Sequence, residues 1–233
     1  MPVLIILPFD NSTVFLREIT SYIKNKIDKA KFSIFYVDPT HESHLKCKNE
    51  IAELPKNSTI IFLGHGSSYS LHGAKDEKFE LKNFISSRED QVLFQSQKLF
   101  LLSCYSIEFL KRLDKRYLVA GIGFGNLPTE WDEILAEREL DASAYADITE
   151  NILKEFKKLL INIIKFSLVE AFSEDHSFGD LYLRIRLRLN KNITSLLLSK
   201  VKQDQILARF LYNIKTDFYF LGNPFAHFNP ILK

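Results

Sequence analysis

The apolar positions of this chain fall into short unbroken runs, separated by stretches in which apolar residues recur with helical spacing. The runs "PVLIILPF" (2–9), "KFSIFYVD" (31–38), "STIIFLG" (58–64), "KLFLLSC" (98–104) and "RYLVAGIGFG" (116–125) have strand length and are rich in β-branched and aromatic residues. Between them, "STVFLREITSYIKNKI" (12–27) reads as a helix with Ser12 as its N-cap. Residues 41–54 read as a polar segment holding a helical turn or two. "FELKNFISS" (79–87) reads as a further helix, and "SIEFLKRLDK" (106–115) as another. Strands that are apolar without alternation are buried on both faces, which requires helices above and below a mostly parallel sheet. The expected fold class is therefore α/β, an α/β/α sandwich.

The pattern changes after residue 140, where 140–215 is mainly helical. Ile148, Ile152, Phe156, Leu159, Leu160, Ile163 and Ile164 lie on one helical face of 148–172. Two rules compete over "SFGDLYLRIRLRLNKNI" (177–193). Alternation of Leu181, Leu183, Ile185, Leu187 and Leu189 is a strand signature. Against it, Ser177 and Asp180 form a helix-start pair, and Phe178, Leu181, Ile185 and Leu189 share a helical stripe. The helix is favoured. "DFYFLGNPFAHF" (217–228) supplies a sixth strand followed by a Gly-Asn-Pro turn. Without repeats or linker-like tracts, 1–233 is expected to form one domain.

Composition narrows the function classes. The chain is 46% hydrophobic and 26% charged, with a net charge of +2, so it lacks the clustered basic excess of a nucleic-acid binder. "RIRLR" (184–188) reads as a solvated face or subunit contact. The N-terminal run lacks a basic leader and a cleavage site, and is read as a buried strand instead of a signal peptide. "LLINIIKFSLVEAF" (159–172) carries Lys165 and Glu170 and is too short to span a bilayer, so no membrane partner is expected. Two cysteines make no disulfide framework and suit a reduced, cytoplasmic protein.

The two cysteines differ in setting. Cys47 lies in polar "HESHLKC", where His41 and His44 lack a fourth ligand at metal-site spacing; no metal is expected. Cys104 ends an apolar strand, as His65 and Gly66 end another. In open α/β sheets functional groups collect beyond the carboxyl ends of strands. A thiol needs a base to act as a nucleophile near neutral pH, and a histidine one strand away supplies it. The Gly66 and Cys104 amides are candidate oxyanion donors, Gly66 because a glycine lets backbone approach a substrate closely. A lone cysteine or histidine at such a place is commonly structural. Two strand ends bearing them together point to a Cys/His acyl-transfer site. The second pair, His72-Gly73, follows polar "SSYS" and reads as a β-hairpin tip. "GHGSS" and "GIGFGN" match no phosphate-binding fingerprint, which disfavours a flavodoxin-like nucleotide site.

The blocks "IIFLGHGSS" and "LFLLSCYS" resemble the caspase-like (clan CD) cysteine peptidases, most nearly the prokaryotic CHAT-domain proteases. "GIGFGNLPTEWDE" (121–133) is similar to that family's next strand and acidic loop, and "FYFLGNPF" to its closing Gly-Asp-Pro turn, with Asn223 in place of Asp. Tyr105 stands where a small or acidic residue often follows the cysteine. The resemblance implies a caspase-like six-stranded sheet, His65 as general base and acid, Cys104 as nucleophile and no cofactor. It further implies a protein substrate, an activating or regulatory protein partner, and a role such as bacterial anti-phage defence or cell death. Glu130, Trp131, Asp132 and Glu133 either line an acidic pocket for a substrate Arg or Lys, or form a solvated loop. The alternative function is a catalytically idle caspase-like scaffold or binding subunit.

Overall fold

Where the apolar runs fall, strands form, and their order decides which strand ends meet. The computed structural model describes residues 3–229, so the first two residues and the last four lie outside it. Six strands make one sheet: β1 (Val3–Pro8), β2 (Ser33–Val37), β3 (Thr59–Leu63), β6 (Gln97–Leu102), β7 (Leu118–Gly123) and β8 (Tyr219–Gly222), in the spatial order β2-β1-β3-β6-β7-β8. All neighbours are parallel except β7 and β8, which are antiparallel. A small antiparallel pair, β4 (Ser70–Leu71) and β5 (Ile85–Ser86), lies outside this sheet. The expected α/β/α sandwich is observed.

Side chains alternate across each strand, so one run feeds two cores. Val3, Ile5, Leu7, Ile61, Leu63, Phe100 and Leu102 face α1 (Arg17–Lys26), α5 (Glu150–Ser173), α6 (Phe178–Leu198) and α7 (Lys202–Thr216). Leu4, Ile6, Ile60, Phe62, Leu99 and Leu101 face α2 (His41–Ala52), α3 (Ser106–Arg112) and the β4–β5 hairpin. At roughly 1.5–3 kcal/mol for each fully buried large apolar side chain, these two layers dominate stability. Among the described residues no helix is long and apolar enough to cross a membrane.

The competition over 177–193 resolves as a helix. Ser177 Oγ accepts the Asp180 amide at 3.1 Å, and Asp180 Oδ2 accepts the Ser177 amide at 3.0 Å, closing the N-terminus. Phe178, Leu181, Ile185 and Leu189 are buried, while Leu183 and Leu187, the other members of the alternation, face solvent.

Three local expectations need correction. Residues 79–87 are not a helix: they hold a turn at 82–83 followed by β5, with Phe84 and Ile85 fully buried. Side chains compete for the helical amides there, since Asp90 Oδ2 takes the Ser86 amide at 2.8 Å and Ser86 Oγ takes those of Arg88 and Glu89. The β3-to-β6 crossover therefore lacks an α-helix. Residues 41–54 hold a full helix of three turns, started by Thr40 Oγ1 accepting the Ser43 amide. Ser12 does not cap a helix over 12–27. Asp10 caps a 3₁₀ segment (Asn11–Leu16) that precedes α1, which leaves the Ser12 hydroxyl free for other work.

Candidate active site

The sheet order brings the carboxyl ends of β1, β3 and β6 side by side, and the chain past each end supplies one wall of a cleft of about 480 Å³. Asp10 and Ser12 follow β1, His65 and Gly66 follow β3, and Cys104 follows β6; all five line the cleft. β1 leads outward to β2 while β3 leads the other way to β6, so the cleft lies where the sheet's winding reverses, the usual place for a ligand in this architecture.

Gly66 meets the end of β6 closely. A methyl group there would sit 2.9 Å from Ser103 Oγ and 3.3 Å from the Cys104 carbonyl oxygen, so the glycine is what lets the two strand ends converge. Gly66 pairs with Leu71 across a tight hairpin closed by His72 N donating to His65 O (3.0 Å) and Ser67 N donating to Ser70 O (2.8 Å). That geometry leaves the Gly66 amide outside the ladder. Among the described residues, neither the Gly66 nor the Cys104 amide donates to a protein group.

On the far side, Tyr105 adopts a left-handed backbone (φ 53°), and its amide donates to Gly125 O at 2.8 Å. A bulky residue rarely sits there without a reason, and here it turns the chain sharply between β6 and α3. Ser106 holds the turn: its hydroxyl accepts the Phe124 amide at 2.9 Å and shares its proton between the Ser103 and Leu101 carbonyls (2.8 and 2.9 Å).

The two candidate catalytic side chains have different partners. His65 Nε2 lies 2.6 Å from Ser12 Oγ and 3.7 Å from Asp10 Oδ2, and Nδ1 lies 3.9 Å from Glu133 Oε1. Cys104 Sγ donates to the Leu127 carbonyl at 3.1 Å. Burial pushes the thiol up to about 12, helped by the negative charges of Glu133 and Glu137. In this state the sulfur is a protonated thiol, and no hydrogen bond joins it to His65.

Comparison of the chain with family models, curated proteins and solved structures gives no match.

The acidic stretch 130–133 is the start of helix α4 (Trp131–Leu140), not a loop. Glu133 Oε2 accepts the Thr129 and Glu130 amides at 2.7 and 3.0 Å, and Glu130 is paired with Lys157 of α5 at 2.6 Å. Glu130 and Glu133 line the cleft. Trp131 and Asp132 do not, because successive helical residues point in different directions. Trp131 instead stacks with the Arg138 guanidinium, 5.1 Å from the ring centre, and Asp132 is exposed.

His72 is not at the hairpin tip. The tip is Ser67–Ser70, and His72 lies on the returning arm beside His65, lining the same cleft. Burial, then repulsion from His65, lowers its pKa to about 4, so it is a neutral imidazole near pH 7. Its neighbour Gly73 serves packing, since a methyl there would overlap His44 Nε2. His44 is committed on both sides: Nδ1 donates to Thr40 O at 2.6 Å and Nε2 accepts the Ala74 amide at 2.9 Å. Cys47 is fully buried in the core on the same side of the sheet. The His44 ring ties α2 to the chain leaving the hairpin.

Asp10, Ser12 and His72, together with Lys75, Glu80 and Lys82, are among the cleft residues that reading the sequence missed. The signal for Asp10 and Ser12 was present, since "FDNS" directly follows the first apolar run and strand ends are where such groups gather.

Proposed function

We propose that this chain is a cysteine endopeptidase using Cys104 as nucleophile and His65 as general base and acid. The observation that carries the reading is the convergence of His65, Gly66 and Cys104 on one cleft, with two backbone amides there left without protein partners. In the reaction the thiol proton passes to His65 and the sulfur attacks the peptide carbonyl. The oxyanion is held by the Gly66 and Cys104 amides, the imidazolium protonates the leaving amine, and water then hydrolyses the thioester. The sulfur must first leave the Leu127 carbonyl, a tightening of the kind apo enzymes undergo on binding substrate.

The resemblance of the two strand-end blocks to CHAT-type proteases supports a cytoplasmic enzyme that cuts one partner protein under control of another, as in anti-phage defence. The rival reading is an idle scaffold of the same fold. It draws on the protonated sulfur and on ring nitrogens turned toward Ser12 and Glu133.

Incubation with a peptide library and with co-expressed neighbouring proteins, comparing wild type with Cys104→Ala, separates the two. Cleavage by wild type alone supports the peptidase. Cleavage that persists in Cys104→Ala overturns the assignment, and binding of a neighbour without cleavage favours the scaffold.

A further inference from the structure

The contacts behind His65 form a chain whose proton positions can be worked out. Asp10 Oδ1 accepts both the Ser12 amide (2.8 Å) and the Ser12 hydroxyl (2.5 Å). A serine hydroxyl has one proton, and here it is donated in the hydrogen bond to the Asp10 carboxylate. The lone pairs of Ser12 Oγ are then what His65 Nε2 meets at 2.6 Å. Two lone pairs at that distance would repel, so Nε2 carries a hydrogen and donates it. A neutral imidazole has only one ring proton, and Nδ1 is therefore bare.

We infer that Asp10 and Ser12 form a hydroxyl relay fixing His65 as its Nε2–H tautomer, so that Nδ1 is the proton-accepting nitrogen presented to Cys104. Glu133 locates that nitrogen. Its carboxylate is 3.9 Å from Nδ1, it lines the same cleft as Cys104, and its charge acts on the thiol, so Nδ1 lies on the edge of the ring that shares Glu133 with the sulfur. When the thiol proton reaches Nδ1, the imidazolium lies between Glu133 on one side and the Ser12–Asp10 pair on the other. The same proton later leaves Nδ1 for the departing amine, and Nε2–H stays in place throughout. Asp10 and Ser12 touch neither substrate nor sulfur in this scheme; they are positioning residues.

The tautomer assignment stands whether or not the chain is a peptidase, while its use in catalysis rests on the function proposed above. The test is long-range ¹H–¹⁵N correlation of the imidazole nitrogens in the full-length ¹⁵N-labelled chain near pH 8, with His65 assigned by its loss in His65→Gln. Wild type is expected to show Nε2 protonated and Nδ1 bare. Asp10→Ala removes the acceptor, so the Ser12 hydroxyl turns to donate to Nε2 and the ring switches to Nδ1–H. Ser12→Ala gives a mixture of tautomers, and Ser12→Thr restores the wild-type form. A wild-type ring protonated at Nδ1, or one whose tautomer ignores both Asp10→Ala and Ser12→Ala, overturns the relay. Labelling of Ser12 by a fluorophosphonate also overturns it, because the hydroxyl would then be a nucleophile. With a cleaved substrate in hand, Asp10→Ala is expected to lower kcat by about 10²-fold, the scale of general acid–base assistance, with KM nearly unchanged. An unchanged kcat alongside a switched tautomer overturns the catalytic part alone. Absence of cleavage by wild type fails the peptidase reading and leaves the tautomer result standing.

Discussion

His65 and Cys104 reach the same cleft from adjacent strands, yet their surroundings are opposites. The imidazole is partly open and is held at Nε2 by Ser12, with Asp10 behind it. The thiol is packed against apolar neighbours, bonded to a carbonyl, and flanked by negative charge that disfavours its ionised form. One candidate side chain is partly open and hydrogen-bonded, and the other is a buried, protonated thiol. If the two act as the proposed dyad, its reactivity is set by the thiol.

The largest expected effect measures that difference directly. With the thiol at about 12, against about 8.5 for a free cysteine, Cys104 alkylation by iodoacetamide at pH 7 should be slower than in the urea-unfolded chain by roughly 10³-fold. Mass spectrometry of the Cys104 peptide gives the rate. Alkylation as fast as in the unfolded chain would erase the contrast between the halves.

A smaller effect tests the imidazole half through His72. Its pKa is about 4 folded and 6.5 in the reference state, so the unfolded chain binds the extra proton between those values. Stability is full above pH 6.5 and falls as pH drops toward 4, by about 2 kcal/mol after allowance for partial exposure. Urea melts at pH 7 and pH 4.5 should show that loss shrinking in His72→Gln. An equal loss in both proteins would mean the ring is freely solvated.

The smallest effect concerns the charge between the halves. Glu133→Gln keeps an acceptor for the Thr129 and Glu130 amides but removes the carboxylate facing both His65 and Cys104. Cys104 alkylation should then rise by about fivefold, less than one pKa unit's worth. No change would assign the thiol's inertness to burial alone.

The same contrast explains what could be read from the sequence. The sheet was legible because β1, β3, β6 and β7 are continuous apolar runs, and such runs have few alternatives once both faces are covered. His65, Gly66 and Cys104 were legible because each ends or directly follows such a run. In place of the helix expected over 79–87 the chain forms a turn and β5, and the amides of Ser86, Arg88 and Glu89 at its end go to side chains, an outcome that depends on side-chain placement and not on apolar spacing. Ser12 was mistaken for a cap because serine suits a helix start equally well, and only the approach of β3 gives it His65 as a partner. The acidic residues at 130–133 were grouped by charge, whereas α4 sends Glu133 toward the cleft and Asp132 toward solvent.

Ser106 bears on how the Cys104 sulfur could move. By binding the Phe124 amide and the Leu101 and Ser103 carbonyls at once, it rivets the ends of β6 and β7 together directly beside Cys104. The strand ends flanking Cys104 are thus held together, and the Cys104 side chain has one bond, Cα–Cβ, about which its sulfur can turn. In the proposed reaction, freeing the sulfur from the Leu127 carbonyl would then need a side-chain rotation, far faster than rearrangement of a sheet.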